Sequence, residues 1–256
     1  DCGNNGILIW RSKQEEDGSV VSGNRISKIR NAAGGTGEYG NGINVFRAGS
    51  VLVSGNRISD CAYTAVRGNA ASNIQIIGNS CERLGEVALY AEFGFQDAII
   101  ANNLVDTAAS GISVTNFNEG GRMVTVHGNV IRNILPKRPI GTAPDDDAGI
   151  GIVVEADAAV TGNVIENAPS FGIMAGWGKY LRDVTITGNV VRNAFVGIGV
   201  SVVSGAGSAL VSNNLISGSR GSAIVGLDHA KTATGDLGKE GSSRFPQIVL
   251  GLNVIR

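Results

Sequence analysis

Along this chain apolar residues recur at every second position in short runs: Val-Thr-Ile-Thr at 184–187, Asn-Val-Ile-Arg-Asn at 129–133, Gly-Ile-Ser-Val at 111–114. Period-two alternation rich in β-branched residues predicts strands. No segment has a 3.6-residue period. A Gly-Asn or Asn-Asn pair punctuates the runs, with its second member at Asn24, Asn56, Asn79, Asn103, Asn129, Asn163, Asn189 and Asn214, and Gly-Leu-Asn253 stands in its place at the end. The intervals are 32, 23, 24, 26, 34, 26, 25 and 39 residues, a base period of 23 to 26 with three long intervals that must hold loops. Between the pairs a second mark recurs, Gly followed by Ile, at Gly6, Gly42, Gly111, Gly149, Gly172 and Gly197.

Each repeat therefore reads as three short strands. One repeat cannot bury its apolar face alone, but stacked repeats form one continuous core. The expected fold is all-β: a parallel β-helix solenoid of three parallel sheets and about nine to ten turns. The usual chirality of parallel crossovers makes it right-handed. The repeated Asn is expected at a corner, where it takes the left-handed conformation and bonds to its neighbours as a ladder. Residues 1–256 form one domain. The chain is expected to be a fragment cut inside a turn at both ends, because Asp1-Cys2 matches Asp60-Cys61, Leu252 to Arg256 stops in a second strand, and no polar cap is legible.

With 43% hydrophobic residues a sizeable core can form, and 5% aromatics against 38 Gly make it a core of Val, Ile, Leu and Ala. The net charge is -1, with no Lys/Arg run, so nucleic acid is not an expected partner. No apolar stretch approaches the ~18 residues of a membrane span. Cys2, Cys61 and Cys81 have no metal-ligand spacing. Cys2 and Cys61 fall two turns apart, roughly 10 Å, beyond disulfide reach.

The Gly-Asn-x-Ile periodicity resembles the pectate-lyase-like superfamily of right-handed parallel β-helices over essentially the whole chain. Four longer strings are similar to the twin-arginine-translocated repeat proteins of α-proteobacteria: residues 40–47, 85–96, 114–122 and 226–231. That resemblance implies export to the periplasm or beyond, and it implies no catalytic residue.

Candidate chemistry lies in the loops and on the strand that follows Gly-Ile. One stripe there gathers Arg11, Arg47, Arg67 or Asn69, Tyr90 or Glu92, Asn116, Glu155 and Trp177. Turns about 4.8 Å apart suit a linear glycan. Arg could neutralise a uronate carboxylate, Tyr90 could move a proton with Glu92 as partner, and Trp177 and Tyr180 offer stacking faces. Arg67, Tyr90 and Glu92 are the catalytic candidates. The run Asn116-Phe-Asn118-Glu119-Gly-Gly-Arg122 is a second polar cluster, and Asp228-His229 beside Lys231 a third. Glu155 and Asp157, two apart, would share a strand face as a carboxylate pair. Asp145-Asp146-Asp147 carry the oxygen ligands Ca²⁺ takes, but their spacing is not that of an EF-hand, so no cofactor or metal site is assigned. Any of these clusters could equally be a solvated polar face.

The expected function is an exported carbohydrate-active protein that binds a polysaccharide or oligosaccharide along a groove, with lyase or hydrolase cleavage as its stronger form. The alternative is a non-catalytic glycan-binding or cell-envelope structural protein. Oligomeric state is not legible.

Overall fold

The computed structural model describes residues 1–116, 121–139 and 148–256. Asn118, Glu119 and the aspartates 145–147 lie outside the described residues.

The alternating runs form the expected strands, wound into parallel rungs. The first sheet has nine strands, from Val20–Ser22 and Leu52–Ser54 through Arg122–His127 and Ala156–Thr161 to Ile248–Leu250. The second and third sheets carry the next two strands of each rung. They are joined into one 17-stranded ladder because Ser80–Glu92 and Leu104–Thr115 run through both without a break. Neighbouring rungs pair in register, so Ile43 meets Val66, Val66 meets Leu89, and Leu89 meets Ile112.

That register stacks like on like. Ile43, Leu89, Ile112, Ile152, Ile173 and Ile198 form one buried column on the third sheet. Val53, Ile76, Ile100, Val126, Val160 and Ile186 form its counterpart on the first. All belong to one continuous core. The Gly of the mark is set by space at Gly6, Gly42, Gly111, Gly172 and Gly197, and the register moves the mark of the remaining rung from Gly149 to Gly151. A Cβ on Gly111 would lie 2.4 Å from the Gly151 carbonyl oxygen and 2.6 Å from Ile131.

The Asn corner is a continuous ladder. The backbone N–H and Nδ2 of Asn56 both donate to Asn79 Oδ1, Asn79 does the same to Asn103, and the pattern runs on to Asn253. Each Nδ2 also donates to a carbonyl of the first sheet, as Asn129 does to Ile100. The left-handed residue is the one before the ladder Asn, which corrects the expectation. Gly23, Gly55, Gly78, Gly128, Gly162 and Gly188 have φ between 63° and 68°, and Asn102 and Asn213 take the same conformation at 56° and 57°. Gly carries no Cβ penalty there and Asn a small one, which explains why the pair reads Gly-Asn or Asn-Asn.

The third sheet changes direction late in the chain. Lys231–Asp236 runs back antiparallel to Ser222–Asp228. The short helix Leu237–Glu240 follows, capped by Asp236, and buries Leu237 in the core. Val254–Ile255 returns to pair with Leu215–Ser217. The three cysteines are free thiols. No helix among the described residues is long and apolar enough to cross a membrane.

Candidate functional site

The outward face of the third sheet carries the main polar cluster. One outward column reads Leu8, Asn44, Arg67, Tyr90, Ser113, and the next reads Trp10, Phe46, Asn69, Glu92, Thr115. The stripe expected from sequence is thus split between two columns. Arg11 and Arg47 stand one position beyond them: Arg11 closes on Asp17 at 2.7 Å, while Arg47 lies over the Phe46 ring and donates to the Ser12 carbonyl.

Arg67 is the centre of the cluster. Its Nε donates to Glu92 Oε1 at 2.6 Å and its Nη2 to Glu92 Oε2 at 3.1 Å, a bidentate pair across adjacent rungs. Asn69 Nδ2 adds a bond to Glu92 Oε1 at 2.8 Å. Arg67 Nη1 reaches the Gly37 carbonyl at 3.0 Å and Glu86 at 3.4 Å. Glu86 in turn accepts from the Thr64 hydroxyl at 2.7 Å and from Arg138 at 3.0 Å. Glu92 and Glu86 are buried, at 1% and 4% exposure, so their charges are balanced inside the protein rather than by water. The Tyr90 ring lies 5.2 Å from the Arg67 guanidinium. Burial, then the Glu92 charge, pushes the Tyr90 phenol up to about 12.

Beside this cluster opens a cleft of about 530 Å³ with two walls. One wall is the long loop of residues 31–41, which contributes Thr36, Gly37, Glu38 and Tyr39. Backbone carbonyls hold it: Gly37 accepts from Arg67 and Asn41, Glu38 from Asn44, and Gly35 from the Tyr63 hydroxyl. Gly37 is obligatory here, since φ is 138° and a Cβ would overlap the Arg67 guanidinium. The other wall is Leu8 and Trp10, just before the strand Ile7–Glu16 slips register and arches out. Gln14 crosses the rungs to donate to the Ser72 hydroxyl at 3.0 Å and the Gly94 carbonyl at 2.8 Å. Asn44, Phe46, Arg67 and Asn69 line the space between, with Phe93 at its far side. Trp10, Phe93 and Tyr39 remain 58%, 45% and 37% exposed around it. Sequence reasoning missed these aromatics, because Tyr39 and Phe93 fall outside the strands and Trp10, inside one, stands at a position where the repeat has no recurring aromatic.

The remaining candidates are dispersed. Asn116 and Glu155 are buried ties between rungs. The Asn116 N–H donates to Glu155 at 2.8 Å, and its Nδ2 to the Gly121 and Ala156 carbonyls. Glu155 and Asp157 do not share a face, because the chain bends at Asp157, which has φ 50°. Asp157 turns to the first sheet, where it accepts from Arg182 at 2.9 Å and lies 3.8 Å from Arg122. Trp177 meets His229 edge-on at 5.2 Å, and His229 Nδ1 is 2.7 Å from Asp228. Trp177 follows the strand that pairs with Val196–Ser201, four rungs beyond Arg67 or about 19 Å along the axis, so these residues and Tyr180 do not reach the cleft. Among the described residues no group of three or more His, Cys, Asp or Glu side chains is placed to hold a metal.

Comparison with known proteins supports the fold strongly. A lacto-N-biosidase of family GH136 from Eubacterium ramulus superposes with a TM-score of 0.66 at 12% identity, over 100% of this chain and 45% of that protein. The chain thus spans less than half of that relative. An alginate lyase from Paenibacillus sp. str. FPU-7 superposes with a TM-score of 0.59 at 16% identity, over 90% of this chain and 79% of that one. No curated protein sequence matches the chain at a significant level. A family model described as a right handed beta helix region matches residues 5–191.

Proposed function

The chain belongs to the right-handed β-helix family, and from that premise we propose that it is a carbohydrate-binding member which holds a saccharide chain in the cleft on its third sheet. One observation carries this reading: three exposed aromatic rings, Trp10, Tyr39 and Phe93, surround a polar floor of Asn44, Arg67 and Asn69. Sugars offer apolar C–H faces to rings and hydroxyl edges to amides and guanidinium groups, so such a mixture matches both. The lining runs from Trp10 past Phe46 and Asn69 to Phe93, across about three rung spacings or roughly 14 Å, enough for a short oligosaccharide or a segment of a polymer. The walls are pinned by internal hydrogen bonds, so the cleft is preformed and little ordering entropy opposes binding. The two solved relatives are named for carbohydrate chemistry, which is consistent with this use of the fold. Export to the periplasm or beyond, where glycan polymers are met, is part of the proposal.

Cleavage is the second reading, favoured by the gathering of Arg67, Tyr90 and Glu92 on two adjacent rungs. The geometry supports it less well. Arg67 and Glu92 are closed on each other, and a phenol pushed up to about 12 keeps its proton through the neutral range, so almost no phenolate is present to act as a base.

A saccharide panel separates the two. Thermal unfolding and calorimetric titration are expected to show at least one saccharide that stabilises the protein without new reducing ends or unsaturated products. Trp10→Ala is expected to weaken that binding about tenfold, as truncation of an anchoring aromatic does, and to leave unfolding free energy within about 0.5 kcal/mol. Products that vanish in Tyr90→Phe would establish cleavage. A wild-type protein that answers no saccharide would remove the proposal.

A further inference from the structure

We infer that the saccharide held in this cleft is uncharged, a neutral glycan segment rather than a uronate polymer. This deepens the binding reading above and rests on it. It also departs from the sequence expectation that an arginine stripe would neutralise uronate carboxylates.

The argument is charge accounting at the cleft. Only two charged side chains line it, Arg67 and Glu38. A uronate site needs a cation whose donors are open to an incoming carboxylate, ideally a bidentate arginine. Arg67 has five N–H donors, and its Nε and Nη2 are already bidentate on Glu92, with Nη1 on Gly37 and Glu86. One Nη2 N–H is left, so a bidentate contact with an incoming uronate would have to displace Glu92, which is 1% exposed and would then lie buried without its partner. Otherwise it would stand among Glu38, Glu86 and Glu92, each repelling it.

Nearby cations do not reverse this. Arg138 is closed on Glu86 and Arg11 on Asp17. Arg47 is exposed but lies outside the lining, resting on the Phe46 ring with one N–H given to Ser12. Lys13 is exposed on the arching wall and does not line the cavity. The rest of the lining is neutral: four aromatic rings, the Thr36 hydroxyl, and the amides of Asn5, Asn44 and Asn69, each of which gives one Nδ2 N–H to the protein and keeps a second. That surface recognises hydroxyl groups and C–H faces.

The test uses the full chain in calorimetric titration. The probes are neutral oligosaccharides (β-glucan, xylan and galactan series) and size-matched oligogalacturonate and alginate oligomers, each at low and high salt. The best neutral ligand is expected to bind at least about tenfold tighter than any uronate, with an affinity that salt changes by less than about twofold. Glu38→Gln is expected to narrow that gap by improving uronate binding several-fold, since it removes a like charge from the rim. Preferential uronate binding that weakens with salt would overturn the inference while leaving the binding reading intact. Binding of neither class would overturn both.

Discussion

The outward face of the third sheet is two different surfaces on one scaffold. In the early rungs its columns read Asn41, Thr64 and Asn44, Arg67, Tyr90, Ser113. In the later rungs the same columns read Ile150, Phe171, Val196 and Val153, Met174, Gly199, Val225. The later residues form a separate apolar cluster with Leu227 and Trp177 packed on it. Strand spacing, register and inward core are common to both. The scaffold therefore places no demand on the outward positions, and chemistry enters wherever those positions depart from an apolar cover. The early half carries the buried carboxylates Glu86 and Glu92 balanced on arginines, while in the later rungs the one buried carboxylate among the described residues, Glu155, accepts from the Asn116 N–H.

The difference is best broken at its most demanding point. Arg67→Ala leaves Glu92 and Glu86 buried without their common partner and is expected to cost about 3–5 kcal/mol in urea unfolding. Replacing Arg67 and Glu92 together by Met should recover much of that loss, because the charge and its counter-charge go at once. A loss below about 1 kcal/mol for the single change would mean that water reaches the pair. In the later half Met174→Ala should cost about 2–4 kcal/mol through the cavity alone, with no dependence on salt. Asn129→Ala removes the acceptor of two Asn103 donors and should cost about 1–3 kcal/mol, read by hydrogen exchange as a loss of protection at the Asn103 amide. That change tests the ladder common to both halves.

The smallest effect concerns an exposed pair. Hydrogen bonding from Arg83, at 2.6 Å, is the largest influence on Asp60 and holds its carboxyl down from 3.8 to about 2. A depressed carboxyl adds stability above its ordinary value and loses it as pH falls through the depressed one. Stability should therefore decline between pH 3.8 and about 2, and Asp60→Asn should flatten that decline slightly. An unchanged acid limb in the variant would show that solvent screens the pair. Asp60 and Arg83 are both well exposed, so the effect is small beside that of the buried Arg67 pair.

The scaffold was legible because its causes are periodic. Strand alternation, the Asn corner and the Gly-Ile mark recur once per rung, so each occurrence supports the others. Arg67 and Glu92 were legible as members of one stripe for the same reason, being 25 residues or one turn apart, but their closure on each other was not, since Glu92 reads from sequence as the partner of Tyr90. Glu86 was not. The pairing of Ser80–Glu92 with Leu104–Thr115 slips between Leu84 and Val87, which inserts a residue that repeat alignment cannot place. The cleft was not legible either, since one wall is the loop of residues 31–41, where the period fails, and the other ends at Trp10, where the register slip begins. Glu155 and Asp157 misled because the alternation rule assumes a straight strand, and the left-handed Asp157 turns the chain between sheets.

The corner ladder has a direction. Each amide from Asn24 to Asn214 donates toward the later rung, and each from Asn56 to Asn253 accepts from the earlier one. Aligned dipoles add, as they do in an α-helix, so this row of side chains gives the solenoid an electrical sense along its axis, carbonyl oxygen foremost at Asn24. A duplicated rung inserted anywhere in the row would meet a donor on one side and an acceptor on the other, and would fit without reversing a single bond. Growth by whole rungs is thereby easy for such a chain, and growth by any fraction of one is not.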